Sequence, residues 1–495
     1  MISLAIVAIV LFAAVGSKVA ILDLILAHSA NLWQLFTAVG RRIAAWTFLF
    51  DGDNIIQSKF ELSNKEPFEV LAPDNRYVFI SSPKHIKELD TAPDTVLSLQ
   101  AASKQMLQPL YTMHGFNWFN VRGTEGVGFV RALRTLLTNN LPQILPNLGR
   151  ITLSRFEEMR LTHPVVNGEY QTPVYPTILS LVVLLNAVSF FGSDLAKYDD
   201  FMHAGLAYIE ETLICAELIR LTPDFLAPLL GTIMQRCAER DLAALGHSVP
   251  KHVRPPPRSR VFNANSRTFK ADCIQWIMET SPKQRPWSPE RIVHELMAIW
   301  FGSVHALSTA RHIQTITFEI HDLSLYPEHV EPIRKELESQ YGNFERTVST
   351  RRSALIPFTL SDGTKLNVGD WACTPVKSIM QDPEFYPEPL RFNGFRFADP
   401  QLVPQLLAEN YPMQPKPTRL CDVDNTFHVW GTGRMACPGR YYAAAAMKVI
   451  LGKVIMNYDC ELLRPDEPRW LRWRSTTLPK QSTKAIFTPR KPELL

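Results

Sequence analysis

The run Trp430-Gly431-Thr432-Gly433-Arg434-Met435-Ala436-Cys437-Pro438-Gly439-Arg440 gathers three glycines, two arginines and a proline around one cysteine, and it leads into a helical pattern from Tyr441 to Tyr458. A thiolate at Cys437 meets the N–H groups of a tight turn and the positive end of a helix, two influences that keep sulfur ionised and able to ligate a metal. Gly433 suits a positive φ in the turn, Gly439 lets the backbone approach a flat group, and Pro438 is preset for a helix start. Ala443, Ala444, Ala445 and Ala446 then give a helix face almost free of side chains. A cysteine taken alone is more often a core thiol than a ligand; the pattern around this one argues for the ligand.

On haem iron such a sulfur pushes electron density toward bound oxygen and favours O–O cleavage. The run resembles the cysteine-ligand loop of the haem-thiolate monooxygenases, the cytochromes P-450, in the GRxACPGR form of fungal microsomal members. The resemblance implies haem b (iron protoporphyrin IX) as cofactor, with Cys437 as metal ligand and Trp430 standing where the family usually has a shielding Phe. Where the family places a cation for a haem propionate this chain has Met435, which has no N–H to donate, and Arg434 is the nearest substitute.

Length alone suggests about three domains for 495 residues, but there is no internal repeat or long low-complexity linker, so one large domain is expected. Hydrophobic content of 46% with 20% charged residues indicates a chain that buries a sizeable core. The net charge of +4, with no basic run interleaved with aromatics, gives no support to nucleic-acid binding. Seven scattered cysteines without CxxC spacing speak against a disulfide framework or a zinc site.

Ile2 to Gly16 is free of charge, and apolar character resumes after Lys18 as far as Ala27. No charged start marks a cleaved signal peptide, and the pair Arg41-Arg42 lies downstream. Residues 1–30 are therefore expected to be a single-pass membrane anchor, 31–50 a linker and 51–495 the haem domain. The expected location is the endoplasmic reticulum with the catalytic domain in the cytosol; the alternative for the first segment is an amphipathic helix lying on the surface.

Arg76 to Ile80 reads as a strand, followed by a Ser-Ser-Pro turn and a helix from Pro83 to Leu89. Early strands before long helical patterns predict a mainly α fold with small β sheets, in family terms the cytochrome P-450 fold. The aromatic stretch Tyr111 to Phe119 matches the family's pocket-covering loop, with ordinary packing as an equal reading. Phe129 to Leu145 has helical spacing, and the resemblance assigns Arg134 to a haem propionate; a solvated basic face is the other reading. The proline-rich stretch from Arg254 to Arg260 reads as an exposed connector.

Ser288-Pro289-Glu290 is a good helix start, and the pattern continues to Tyr326, just before Pro327, giving a rod on the order of 55 Å at about 1.5 Å per residue. Gly302 within it costs about 1 kcal/mol relative to alanine, which calls for a reason such as close approach of a cofactor or substrate. The family's central helix delivers protons to bound dioxygen from this region, here Gly302-Ser303-Val304-His305-Ala306-Leu307. His305 takes the acidic position and can relay protons. Ala306 takes the threonine position and offers no hydrogen bond, leaving Ser303, His305, water or substrate to serve. A satisfied interior histidine is the competing reading for His305.

The family next has a helix bearing ExxR, but here the run Glu328 to Gln340 passes almost directly into Phe344-Glu345-Arg346. The helix expected near 340–344 is missing, while both flanks keep family character, which points to a lost coding segment rather than divergence. Glu331-Pro332-Ile333-Arg334 spells ExxR but sits too early and reads as a decoy. Arg396 matches the downstream partner of that motif, and burying it without its carboxylate costs several kcal/mol. Met380 stands where the family has a histidine, and Trp473 to Pro479 resembles its C-terminal sheet.

The resemblance implies oxidation or hydroxylation of a small apolar secondary metabolite (terpenoid, polyketide or indole-derived), with dioxygen and with NADPH-derived electrons from an NADPH-cytochrome reductase. Arg440, Lys448 and Lys453 are candidates for docking an acidic reductase face. Two alternatives stand beside it: an inactive or scaffold relative, and a haem enzyme catalysing rearrangement or cyclisation without dioxygen.

Overall fold

A computed structural model of the chain describes residues 32–113, 119–121, 128–222, 225–235, 272–283, 286–305, 312–339, 351–398, 419–424, 426–433 and 436–490. Helix α1 (Leu32–Ser63) leads into strands β1 (Phe68–Leu71) and β2 (Arg76–Phe79), then helix α2 (Pro83–Thr91), strand β3 (Leu97–Ser98) and helix α3 (Leu99–Leu107). The helical body comprises α4 (Leu141–Leu161), α5 (Val174–Leu195), α6 (Asp199–Leu221), α7 (Cys273–Thr280), α8 (Pro289–His305), α9 (His312–Leu325) and α10 (Val330–Ser339). Strands β4 (Val165–Val166) and β5 (Glu169–Pro173) form a hairpin between α4 and α5. Then come β6 (Arg351–Ala354), β7 (Phe358–Thr359), β8 (Lys365–Leu366) and β9 (Trp371–Cys373), the long helix α11 (Arg440–Asn457), and β10 (Tyr458–Leu462), β11 (Trp470–Trp473), β12 (Thr476–Pro479) and β13 (Lys484–Pro489).

The fold is mainly helical with small sheets, as the sequence predicts. One sheet has the order β1-β2-β9-β6-β3, with β2 parallel to β9 (Tyr77 opposite Trp371) and the other pairs antiparallel. A second, β10-β13-β5-β4, joins the end of α11 to the start of α5. The core follows this division. One cluster runs through α4, α5, α8, α9 and α11, and separate clusters under the first sheet include Ile86 and Leu89 of α2 and Tyr77 and Trp371 of the strands.

Local chemistry sets the boundaries. Ser82 caps α2 by accepting the His85 N–H, and Pro83 occupies its first turn. Residues 32–50, read from sequence as linker, are helical, and the break falls at Asp51 (φ −131°, ψ 19°). Ala45, Phe48 and Leu49 are buried, so this end of α1 belongs to the domain body. The proposed anchor, 1–30, lies outside the described residues. Among the described residues, α5 is long and apolar enough to cross a membrane, but most of its apolar window is buried inside the protein, so it is a core helix.

The helix predicted from Phe129 to Leu145 is in fact three pieces: an α turn at Gly128–Arg131, a π-helical segment at Ala132–Leu137, and α4 from Leu141. Pro142 explains the break, because a residue without N–H and with φ fixed is at home only in a first turn. The Thr138 hydroxyl donates to Leu133 O at 3.1 Å, filling the widened turn. The predicted central helix starts at the Ser288 cap and ends before Pro327, as expected; its middle, 306–311, lies outside the described residues, as does the junction 340–350.

Candidate functional site

The cysteine loop is built on two glycines with positive φ, Gly431 (82°) and Gly433 (54°). The second was anticipated from sequence and the first was not. The Cys437 N–H donates to Trp430 O at 2.8 Å and the Ala436 N–H to Gly433 O at 3.3 Å, so the chain from 430 returns on itself immediately before α11. Cys437 is a half-buried cysteine in the turn leading to α11. The helix end favours negative charge on its sulfur. The structure also assigns the Cys437 N–H to Trp430 O, so that donor is not aimed at the sulfur.

Trp430 is buried beside Cys437 in the helical core, its indole N–H bonded to Leu420 O. Gly439 precedes α11 with an ordinary negative φ, and a Cβ there would only touch Leu133 of the π-helical segment at 3.8 Å. Arg134, on the same segment, is exposed. Arg434 and Met435 lie outside the described residues. Of the alanine face, Ala443, Ala444 and Ala446 are buried in the core while Ala445 is half-buried.

Arg440 corrects a sequence expectation. It is not a free docking cation: Nε donates to Cys421 O (3.0 Å), one terminal nitrogen to Cys437 O (3.1 Å) and the other to the Tyr441 hydroxyl (2.8 Å). Its guanidinium therefore braces the Cys437 carbonyl, and the Tyr441 ring stacks beneath it at 4.4 Å.

On α8, Gly302 is exposed, and a Cβ built on it meets nothing within 4 Å among the described residues. Ser303 is half-buried and its hydroxyl donates to Trp300 O at 3.0 Å, which directs its proton into the helix. The backbone of His305 ends α8; its side chain lies outside the described residues, as does Ala306.

Arg396 is buried and donates to the carbonyls of Pro387 (2.5 Å), Glu388 (3.0 Å) and Arg391 (3.3 Å). Local carbonyls thus satisfy several of the guanidinium's donors. The adjoining Phe395 stacks on buried His329 at the entry to α10, at 5.0 Å and 20°. The early ExxR is a real ion pair with a different task. Arg334 binds Glu331 at 2.6 Å, Asp459 at 2.6 Å, and the carbonyls of Ile455 and Tyr458 at the C-terminal end of α11.

The other described cysteines behave as core thiols. Burial pushes Cys215 up to about 11 and Cys373 and Cys460 up to about 12. Among the described residues no group of three His, Cys, Asp or Glu side chains could hold a metal ion. A single thiolate, such as Cys437 offers, is the donor that a macrocycle-bound metal takes from its protein. The exposed cation of Arg134, on the segment whose Leu133 lies next to Gly439 before α11, fits a group carrying carboxylates.

A family model for cytochrome P-450 matches residues 346–487. The cytochrome P-450 monooxygenase paxP of Penicillium paxilli is 23% identical over 468 residues, covering 88% of this chain and 85% of its own length. The cytochrome P-450 monooxygenase ptmQ of Penicillium ochrochloron is 23% identical over 499 residues, covering 93% of each. Among solved structures, a retinoic acid bound cyanobacterial CYP120A1 matches with a TM-score of 0.58 at 16% identity, over 90% of this chain and 96% of that one, which shows a shared fold.

Proposed function

We propose that the chain is a haem-thiolate monooxygenase of the cytochrome P-450 family, a reading supported by the family model over its C-terminal part and by the curated relatives along most of its length. The observation that carries this reading is Cys437: a half-buried cysteine just before α11, in a loop turned by two positive-φ glycines and braced at its own carbonyl by Arg440. Haem b, when bound, supplies the activation of dioxygen and the insertion of one oxygen atom into substrate. The chain's part is positional. Cys437 Sγ would hold the iron, Arg134 and Arg434 would take the propionates, Trp430 would keep water from the sulfur, and Gly302 would leave room for the ligand. With the Ser303 proton bonded to Trp300 O, the imidazole of His305 is the group on α8 that carries protons, assisted by water.

The substrate class in this reading is an apolar small molecule of terpenoid, polyketide or indole-derived type, supported by the fungal form of the cysteine loop. Electrons come from NADPH through a reductase partner at a membrane, with residues 1–30 as a single-pass anchor in the endoplasmic reticulum. The test is a reduced carbon monoxide difference spectrum of the expressed full chain, followed by NADPH-dependent turnover. Cys437→Ser is expected to abolish the thiolate band and product formation; unchanged pigment and yield in that variant sink the assignment. Ala306 favours a second reading, haem-dependent rearrangement without dioxygen, which predicts an intact thiolate band with turnover that ignores NADPH.

A further inference from the structure

We propose that Asp90 is the positioning residue of the cysteine loop, holding its apex to the sheet lobe through Thr432 and Arg352. Between the two positive-φ glycines, Thr432 is buried and its hydroxyl donates to Asp90 Oδ1 at 2.8 Å. The same oxygen accepts from the Arg352 guanidinium, whose other terminal nitrogen donates to Leu89 O. Arg352 is buried on β6 and Asp90 is mostly sheltered, so the pair acts where solvent screens it little. A Cβ on Gly433 would lie 2.9 to 3.1 Å from the Asp90 carboxyl group. The loop backbone thus rests directly on this side chain, and a larger residue has no place there.

The placement explains why one carboxylate matters. Asp90 ends α2, whose Ile86 and Leu89 are fixed in the sheet-lobe core, whereas α11 belongs to the helical core. The Cys437 N–H to Trp430 O bond closes the loop at its base, and Asp90 fixes the opposite side. A hydrogen bond to a charged group restrains a turn more strongly than a neutral one. In a chain whose sequence lacks the ExxR helix, this link supplies a carboxylate and an arginine to the cysteine loop from elsewhere in the fold. Its consequence for thiolate ligation rests on the haem-thiolate reading; its consequence for loop rigidity does not.

The full chain is therefore compared as wild type, Thr432→Val, Asp90→Asn and the double variant, by two measurements. Hydrogen exchange over Val429–Gly433 in protein prepared without haem is expected to accelerate about tenfold in each single variant, the scale of losing one charge-assisted bond, while exchange in β1 and β2 stays at the wild-type rate. The double variant adds little to either single, because both cut one link. In haem-loaded protein the ratio of thiolate to thiol carbon monoxide bands falls in the same order. Unchanged exchange at Val429–Gly433 in Thr432→Val, which removes only the hydroxyl and does not depend on Asp90→Asn folding, overturns the proposal. Absence of a thiolate band in the wild type overturns the haem-thiolate reading instead and leaves the exchange result to decide this one.

Discussion

His321 on α9 is sealed from solvent, and neither of its ring nitrogens has a hydrogen-bond partner among the described residues. Burial first, and the Arg469 charge second, lower its pKa from 6.5 to about 3, so the folded protein holds it neutral. The sign follows from that direction: the unfolded chain takes up a proton below pH 6.5 that the folded chain refuses until about 3. Stability is therefore intact above the unfolded value and falls as pH drops through the interval, by about 2 kcal/mol between pH 7 and pH 5. His321→Phe removes both the titration and the unpartnered nitrogens, and it is expected to be neutral or stabilising at pH 7 and to flatten the acid limb. Urea midpoints at the two pH values read this directly; an unaltered slope in the variant assigns the acid limb to other groups.

Elements show what local sequence can and cannot announce. The cysteine loop, the Ser82 and Ser288 caps and the stop before Pro327 were legible because each is decided within a few residues. Asp90, Arg352 and Thr432 were not, since their bonds join positions 262 and 342 apart, and an aspartate after a surface-like helix carries no local mark of its partner. Arg440 was read as a docking cation for the same reason: its acceptors are carbonyls, which leave no trace in side-chain pattern. The pair Glu331 and Arg334 was seen, but its object was invisible. Arg334 is buried and donates to Ile455 O at 3.0 Å and Tyr458 O at 3.1 Å, satisfying carbonyls that the end of α11 leaves open. A cavity of about 210 Å³ lies beside it, lined by Ile320, Leu323, Val330 and Val454 together with Glu331 and Asp459. Arg334→Ala is expected to cost about 2 to 4 kcal/mol, and Glu331→Gln under about 0.5 kcal/mol because that carboxylate is largely exposed. Equal losses in denaturant melts of the two variants would show that the ion pair, and not the capping of α11, is the working contact.

Across the whole molecule, one buried network ties together segments that the chain order keeps far apart. Arg474 sits at the turn between β11 and β12 with φ of 55°, its N–H bonded to Leu49 O of α1 at 2.6 Å. Its side chain binds Asp74, in the turn between β1 and β2, at 2.7 Å and Glu217 of α6 at 2.7 Å. Arg220 of α6 joins both carboxylates, and the Trp473 indole N–H adds a bond to Glu217 at 3.1 Å. The sheet lobe, α6 and the C-terminal hairpin therefore meet at two cations and two carboxylates shielded from water. Burial alone would raise the Asp74 pKa, but Arg220 and Arg474 outweigh it and hold it at about 2 against an ordinary 3.8. A depressed carboxylate contributes stability that is complete above the unfolded value and is lost as pH falls through the folded one, so this contact fails only in strong acid, well below the His321 limb. Arg474→Met keeps the length and removes the charge, leaving two carboxylates to one arginine. Breaking a buried network this way is expected to cost about 3 to 5 kcal/mol, a large share of the roughly 5 to 15 kcal/mol that a folded domain possesses. It should also bring forward the acid transition assigned to Asp74, because one of the two cations that depress it is gone. Calorimetry at neutral pH and acid titration of tryptophan fluorescence measure the two effects separately. Loss of stability without movement of the acid transition would mean that Arg474 acts through packing and its backbone bond to Leu49, and that Arg220 alone governs Asp74.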